Sequence, residues 1–201
     1  MKSFLALLTL CLLTHRAAAQ ESIPTDEARK IARVLIMAAG DIPNAQLKAE
    51  LDPEQPRGIK AGDAGLIVIP AAKLTAAAVA KAGKEPVALG QLWLHKLAPA
   101  QDGSPVALAK LRTITVTDKD KSADAQLYFL GVRDAGAGKL ELVVYALDKQ
   151  PLLRVPLEIA EASQDSPIEL QGRKSGEDAG VLTVNLLGKY KAELTLMKPA
   201  Q

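Results

Sequence analysis

The sequence predicts a mainly β protein built as an antiparallel β-sandwich, immunoglobulin-like or jelly-roll-like, with one or two short helices in its N-terminal half. Three observations carry this prediction. Two apolar runs at 127–132 and 140–145 flank a turn-rich segment, short strand-like runs recur through the second half, and the last run alternates apolar with polar residues. The spacing of these runs indicates about 8 to 10 strands.

The clearest local signal is a hairpin in residues 125–145. The turn-rich segment Asp134-Ala135-Gly136-Ala137-Gly138 separates its two apolar arms. Glycine adopts the positive φ angles of a tight turn, and the Asp134 carboxylate can accept a backbone hydrogen bond where the turn begins. The two arms are therefore predicted to pair as neighbouring antiparallel strands.

One helix is predicted near the N-terminus. Apolar residues recur at helical spacing from Ala28 to Ala39, with Thr25 placed to supply a hydroxyl N-cap and Gly40 placed to end the helix. The dense apolar run 34–37 is equally compatible with a strand, because periodicity does not separate the two in so short a run.

Residues 41–105 mix turn residues with apolar runs. Prolines and glycines in 41–63 predict irregular chain with at most one strand, near 47–51. The apolar run 65–69, ended by Pro70, is typical of a strand buried on both faces. The remaining predictions in this part are a helix over 73–82, a strand over 87–97 and a loop over 99–105.

The second half of the chain is predicted to consist mainly of short strands. Pro156 has no N–H to donate, which places its strand at a sheet edge or a bulge. In the last strand, Ala192, Leu194 and Leu196 alternate with polar residues, so one face is expected to be core and the other solvent. The candidate strands are 111–117, 126–132, 140–146, 152–157, 168–171, 181–187 and 191–197.

The first 19 residues have the three parts of a secretory signal peptide. Lys2 is the positive region, Phe4–Leu13 the apolar region, and Ala17-Ala18-Ala19 the small-residue cleavage site. The apolar region is about half the roughly 20 residues that a bilayer span requires. We therefore expect a mature chain of residues 20–201 without a membrane span, forming a single β-rich domain with 20–40 as a helical N-terminal extension.

Charge and cysteine content limit the partners and the location. The chain has 25 Lys and Arg against 23 Asp and Glu, and removal of residues 1–19 leaves 23 against 23. This balance, without a basic cluster, argues against nucleic-acid binding and against an anionic membrane surface. The only cysteine, Cys11, leaves with the signal peptide. Without disulfides or an Asn-x-Ser/Thr motif, a periplasmic or extracellular protein of a bacterial envelope is favoured.

The sequence lacks the familiar catalytic motifs. His95 is the only histidine beyond residue 19, and no second histidine, cysteine, HExxH or GxSxG is available to complete a triad or a zinc site. We expect it to be a half-buried or surface histidine. The segment RDAGAGKL, residues 133–140, is superficially similar to a phosphate loop, but Leu140 stands where Ser or Thr is required and a strand follows instead of a helix.

One acidic cluster is the best cation candidate. Asp118, Asp120 and Asp124 are spaced so that their carboxylates could converge on calcium. The cluster lacks the loop glycine and the distal glutamate of a calcium loop, and Lys119 and Lys121 offset its charge. A solvated turn is the favoured interpretation.

Two further residue classes bear on function. Paired acids need only be neighbours in space, so a carboxylate-dependent hydrolase stays open, with Glu50, Asp52, Glu141 and Glu158 as nominal candidates. The aromatic residues beyond residue 19 all lie in predicted strands and are expected to pack in the core, although two tyrosines on the arms of one hairpin could form an exposed pair. These residues are Trp93, Tyr128, Phe129, Tyr145 and Tyr190, and the two hairpin tyrosines are Tyr128 and Tyr145.

The leading functional hypothesis is an exported noncatalytic module that binds a protein partner or an envelope component through a sheet edge or loops. No catalytic, cofactor-binding or metal-binding residue is assigned, and no cofactor is expected. One alternative is the hydrolase, acting on a cell-wall or extracellular polymer. The other is a carrier of a small apolar ligand, which requires an apolar cavity.

Overall fold

The described part of the chain is a β-sandwich of two antiparallel sheets with two α-helices. The computed structural model describes residues 20–43, 45–118 and 121–199. The predicted signal peptide, residues 1–19, lies outside the described residues and stays a prediction.

The helices are α1 (Thr25–Ala39) and α2 (Ala76–Ala80). The strands are β1 (Glu21–Ser22), β2 (Arg57–Ala61), β3 (Ala64–Pro70), β4 (Val87–His95), β5 (Ala98–Gln101), β6 (Ser104–Pro105), β7 (Arg112–Asp118), β8 (Lys121–Gly136), β9 (Lys139–Tyr145), β10 (Leu153–Pro156), β11 (Glu158–Ile159), β12 (Ile168–Lys174), β13 (Ala179–Leu186) and β14 (Tyr190–Met197). Sheet I of the described chain has eight strands in the order β1-β2-β3-β4-β8-β9-β10, with β7 also paired to β8. Sheet II has six described strands in the order β12-β13-β14-β5-β6, with β11 paired to β14.

Sheet I is covered on both faces. Strand β3 shows this most directly, because Leu66 and Val68 join the core between the sheets, whereas Ile67 and Ile69 join a second core beneath α1. Successive side chains of a strand point to opposite faces, so an uninterrupted apolar run is what two cores require. The prediction of a strand buried on both faces is confirmed.

Helix α1 forms the outer layer over sheet I. Its buried residues, Ala28, Ala32 and Leu35, follow the predicted helical spacing, and the run 34–37 is helical. Gly40 ends the helix with φ 55°, and its N–H donates to the Ile36 carbonyl at 3.2 Å. The predicted N-cap is wrong, because Pro24 occupies that position and makes no side-chain capping bond. Pro24 has a non-helical ψ of 141°, and its carbonyl accepts the N–H of Ala28 at 2.9 Å, so the helix begins one residue after it, at Thr25.

The predicted hairpin is confirmed as β8 and β9. Gly136 pairs with Lys139, so Ala137 and Gly138, with φ of 53° and 73°, form the two-residue turn. The Asp134 Oδ1 accepts the N–H of Gly136 at 2.8 Å, as the sequence indicated. A register shift between Asp134 and Gly136 absorbs the extra residue of the turn segment.

Each strand predicted in the second half is present, although β8 (Lys121–Gly136) extends well beyond the predicted 126–132 and the short strand β11 was not predicted. Strand β10, which carries Pro156, lies at one end of sheet I, so the predicted edge position is confirmed. In β14, Ala192, Leu194 and Leu196 are buried, and Glu193 and Thr195 are exposed, which confirms the predicted alternation.

Short elements account for the differences from the prediction. The loop predicted over 99–105 is a hairpin of β5 and β6 that turns at Asp102 and Gly103. The region 41–63 contains β2, and near 47–51 only an isolated bridge from Leu51 to Ala71. The helix predicted over 73–82 is reduced to α2. Strands of two to five residues show too little periodicity to be distinguished from loops.

Tyr128 provides a test of core packing. It is fully buried between the sheets, its hydroxyl has no hydrogen-bond partner among the described residues, and burial raises the pKa of that hydroxyl. Burying this hydroxyl removes its hydrogen bonds to water, and no hydrogen bond to protein replaces them. Tyr128→Phe should therefore raise the free energy of unfolding by about 1 kcal/mol. Urea denaturation measures this change. A clear loss of stability would contradict it and would indicate a trapped water bound to the hydroxyl.

Candidate functional site

An apolar cleft opens at one end of the sandwich. It lies where the turn between β2 and β3 faces the turn between β12 and β13, and its volume is about 560 Å³. Leu66 of sheet I and Leu182 and Leu196 of sheet II form its floor, and all three belong to the core between the sheets. The cleft is thus an open continuation of the inter-sheet core.

Small residues at inward-facing positions create the cleft. Ala61 and Ala64 are cross-strand partners, and each lies two residues beyond a position where a large apolar residue faces the core, Ile59 and Leu66 respectively. Alternation along a strand places such residues on the same face. Alanines at the end of sheet I therefore leave space that larger side chains would fill.

The opposite wall repeats this pattern with glycine. Gly172 pairs with Leu182 and Gly180 pairs with Leu196, so both glycines share the inward face with core leucines. The Gln20 side chain lies against Gly172, and a Cβ at that position would overlap its amide. Since β1 belongs to sheet I, Gln20 crosses from one sheet to the other and forms one side wall of the cleft.

Charged side chains of both signs surround the cleft mouth. The Lys96 ammonium lies 2.6 Å from an Asp63 carboxylate oxygen, and the hydrogen bond from Lys96 lowers the pKa of Asp63. The Lys198 ammonium lies 2.6 Å from an Asp178 carboxylate oxygen, and that hydrogen bond raises the pKa of Lys198. The charged residues lining the mouth are Asp63, Arg173, Lys174, Glu177, Asp178 and Lys198. Their formal charges balance, so the mouth presents a mixed polar rim above an apolar floor.

His95 has the structural environment expected for it. It is half-buried at the end of β4, and its Nδ1 lies 2.8 Å from the Asp124 carbonyl oxygen, to which the ring must donate. Within the described ranges, no group of three or more His, Cys, Asp or Glu side chains is arranged to hold a metal ion. The segment 133–140 forms the end of β8, its turn and the start of β9, so a strand follows the glycines as expected.

The acidic cation candidate is only partly described. Asp120 lies outside the described residues, and for Asp118 only the backbone is described. The Asp124 Oδ1 accepts a hydrogen bond from the Thr115 hydroxyl at 2.7 Å across β7 and β8. Asp124 therefore lies within strand β8 and has a structural partner on β7, so the expected solvated turn is wrong for this residue.

Three of the four nominal hydrolase carboxylates are held by partners of their own. Asp52 accepts hydrogen bonds from the Glu54 N–H and the Gln55 side chain, at 2.9 and 3.0 Å. Glu141 lies 2.6 Å from the Arg133 Nε, and Glu158 lies 3.1 Å from the Lys191 Nζ. Glu50 is exposed. The cleft lining contains none of the four.

The five aromatic residues of the described chain pack in the core, as expected, with exposed fractions of 7% or less. The alternative of an exposed pair formed by Tyr128 and Tyr145 is wrong. The register pairs Tyr145 with Phe129, one residue further along β8. Tyr128 therefore points to the opposite face, into the core between the sheets, whereas Tyr145 packs beneath α1.

Sequence reasoning missed the residues that shape the cleft. Ala61, Ala64, Gly172 and Gly180 carry no chemical function and come from two distant parts of the chain. Their only sequence signal is small size at inward positions of alternating strands. Recognising it requires the pairing of β2 with β3 and of β12 with β13, which local patterns do not supply.

No protein-family model, curated protein or solved structure matches this chain. Among the described residues, no helix combines the length and the apolar character needed to cross a bilayer.

Proposed function

We propose that this protein is an exported, noncatalytic binding module that holds a small amphiphilic envelope component in the apolar cleft. The observation that carries the proposal is the cleft itself, an opening of about 560 Å³ in the inter-sheet core. Small-molecule sites in proteins are typically concave, largely apolar and about 300 to 1,000 Å³ in volume. The predicted signal peptide supports an exported location.

The two zones of the cleft support an amphiphile over a purely apolar ligand. Leu66, Leu182 and Leu196 would contact an alkyl or ring body, whose transfer from water contributes about 25 cal/mol for each Å² buried. A polar head group would remain at the charged rim, close to solvent. Because the side chains of the rim carry acids and bases in equal number, a zwitterionic head group suits them better than one of a single charge.

The hydrolase alternative has weaker support. Its nominal acids lie outside the cleft lining, and Asp52, Glu141 and Glu158 already bind structural partners. A cleft-bound ligand needs none of them. The binding proposal therefore uses the geometry that the fold provides, without invoking a second site.

Dodecylphosphocholine is a suitable probe, because it joins one alkyl chain to a zwitterionic head. Titration followed by calorimetry, with native mass spectrometry for stoichiometry, should show one molecule bound per chain. Laurate and dodecyltrimethylammonium, which carry one charge each, should bind more weakly. Absence of binding up to about 1 mM, equivalent to a binding free energy weaker than about 4 kcal/mol, would refute the proposal.

A cleft-filling variant locates the site. Replacing Ala61 and Ala64 together by leucine should weaken dodecylphosphocholine binding at least tenfold, a change of about 1.4 kcal/mol, because the added side chains occupy the ligand volume. The matched control is Ala160→Leu, since Ala160 is half-buried beside the start of β14, at the opposite end of sheet II. Equal affinity in both variants would place the ligand elsewhere.

A further inference from the structure

Strand β7 leaves one edge unpaired. It pairs with β8 over its full length, from Arg112 opposite Leu127 to Asp118 opposite Lys121. Strand β8 has β4 on its other edge, because Leu127 also pairs with Trp93. No other strand of the described chain pairs with β7. Its outer edge, seven residues long, is therefore not paired with another strand.

The direction of the free backbone groups follows from His95. The Asp124 carbonyl of β8 accepts the hydrogen bond from the His95 ring, so this carbonyl points toward the β4 edge. Backbone groups of successive strand residues alternate between the two edges. Residues 123, 125 and 127 therefore bond to β7, and their partners are Val116, Ile114 and Arg112. The N–H and C=O groups that face outward are those of Thr113, Thr115 and Thr117.

The other sheet ends lack this open template. Strand β10 has four residues and includes Pro156, and β1 and β6 have two residues each. Strand β12 is as long as β7, but it lies beside β2, and the Arg57 Nε is 3.0 Å from a Glu169 carboxylate oxygen across the two sheets. Natural proteins protect edges with short strands, proline, lysine or covering segments. The interior of β7, residues 113–117, carries no proline or lysine, and helix α1 contacts this strand on the face that bears Ile114 and Val116.

The edge is complementary to itself. If two copies of β7 pair antiparallel around Thr115, then Thr113 lies opposite Thr117 of the other copy, and Ile114 lies opposite Val116. The same register places Arg112 opposite Asp118, residues of opposite formal charge. Ile114 and Val116 are half-buried and pack toward the core beneath α1, so a second copy would cover apolar surface as well as backbone. This complementarity favours a second copy over an unrelated peptide, whose residues would not in general match those of β7 in this register.

We propose that the protein forms a two-fold symmetric dimer in which β7 pairs with β7 of a second copy, joining the two eight-stranded sheets into one. The outward backbone groups of three threonines form the hydrogen bonds of this interface. Thr115 pairs with Thr115 of the second copy, and Thr113 pairs with its Thr117. The cleft lining includes no residue of β7, so each copy keeps its cleft open to ligand.

Thr115→Pro tests the interface directly. Proline removes the outward N–H at the centre of the edge and leaves the bonds between β7 and β8 intact, since Thr115 does not direct its N–H toward β8. Sedimentation equilibrium should show a dimer for the native protein and at least a tenfold weaker association for the variant. The matched control, Thr115→Val, keeps the backbone donor and should associate like the native protein. A native protein that is monomeric up to about 1 mM, or a dimer unaffected by Thr115→Pro, overturns the proposal.

A cysteine variant tests the register even if the proline variant fails to fold. Directly opposed residues of a hydrogen-bonded antiparallel pair have Cα atoms about 5.5 Å apart, within the range that a disulfide spans. With oxidised glutathione as oxidant, Thr115→Cys should form a covalent dimer, whereas Thr113→Cys, which lies opposite Thr117, should not. No cysteine occurs between residues 20 and 201 to interfere. Equal crosslinking of the two variants would exclude the proposed register.

Discussion

Replacing Gly90 by alanine should lower the free energy of unfolding by about 3 kcal/mol, a large effect for the addition of one methyl group. Gly90 pairs with Pro70 where β3 and β4 meet, in the middle of sheet I. Its φ is 145°, a conformation that residues with a Cβ rarely adopt. A Cβ there would overlap the Ile69 carbonyl oxygen and lie 2.8 Å from the Pro70 Cα. Both contacts are with backbone, so no side-chain movement relieves them.

Gly65→Ala is the matched control for Gly90. Gly65 lies in β3, the neighbouring strand of the same sheet, and the nearest atom to an added Cβ is the Ile59 carbonyl oxygen at 3.6 Å, an ordinary contact. The variant should match the native protein or be stabilised by up to about 1 kcal/mol, because alanine reduces the entropy of the unfolded chain. Urea denaturation of both variants measures the difference. Similar stabilities would show that the sheet relaxes around residue 90.

The need for glycine at position 90 could not be predicted from the sequence, because it arises from the pairing of three strands. The run 87–97 was correctly predicted as a strand, yet the register shift between Ala88 and Gly90 depends on how β4 meets β3 and β8. A glycine within a strand pattern indicates a bulge or a close backbone approach, but it does not identify the approaching chain. Here the approaching chain is the end of β3, about 20 residues earlier.

Elements with a strong local cause were predictable. The β8–β9 hairpin was correct because Asp134, Gly136 and Gly138 determine the turn within the segment itself. Strand β10 was correctly placed at an edge because Pro156 has no N–H to donate. The cleft, in contrast, results from four small residues that meet only after both sheets have formed. Its position depends on pairing and packing between sheets, which a local pattern does not contain.

Removing the Glu141 side chain should give the second largest loss in the free energy of unfolding among the substitutions predicted for this protein. Glu141 and Arg133 are cross-strand partners on β9 and β8, with Nε and Oε1 2.6 Å apart and side chains only 14% and 22% exposed. Glu141→Ala leaves the Arg133 guanidinium largely out of water without its counter-ion. Breaking a fully buried pair in this way costs about 3 to 5 kcal/mol, and we expect about 2 kcal/mol here because some solvent reaches both groups.

Two comparisons separate this structural role from a catalytic one. Glu158→Ala removes an ion pair whose carboxylate side is 67% exposed, so it should cost less than about 0.5 kcal/mol. Replacing Arg133 and Glu141 together by leucine should recover much of the loss, because no unpaired charge remains and the apolar side chains fill the same space. If Glu141→Ala proved as mild as Glu158→Ala, the carboxylate would not be needed to hold the hairpin. A mild effect on stability combined with loss of activity on a polymer substrate would then favour the hydrolase over the binding module.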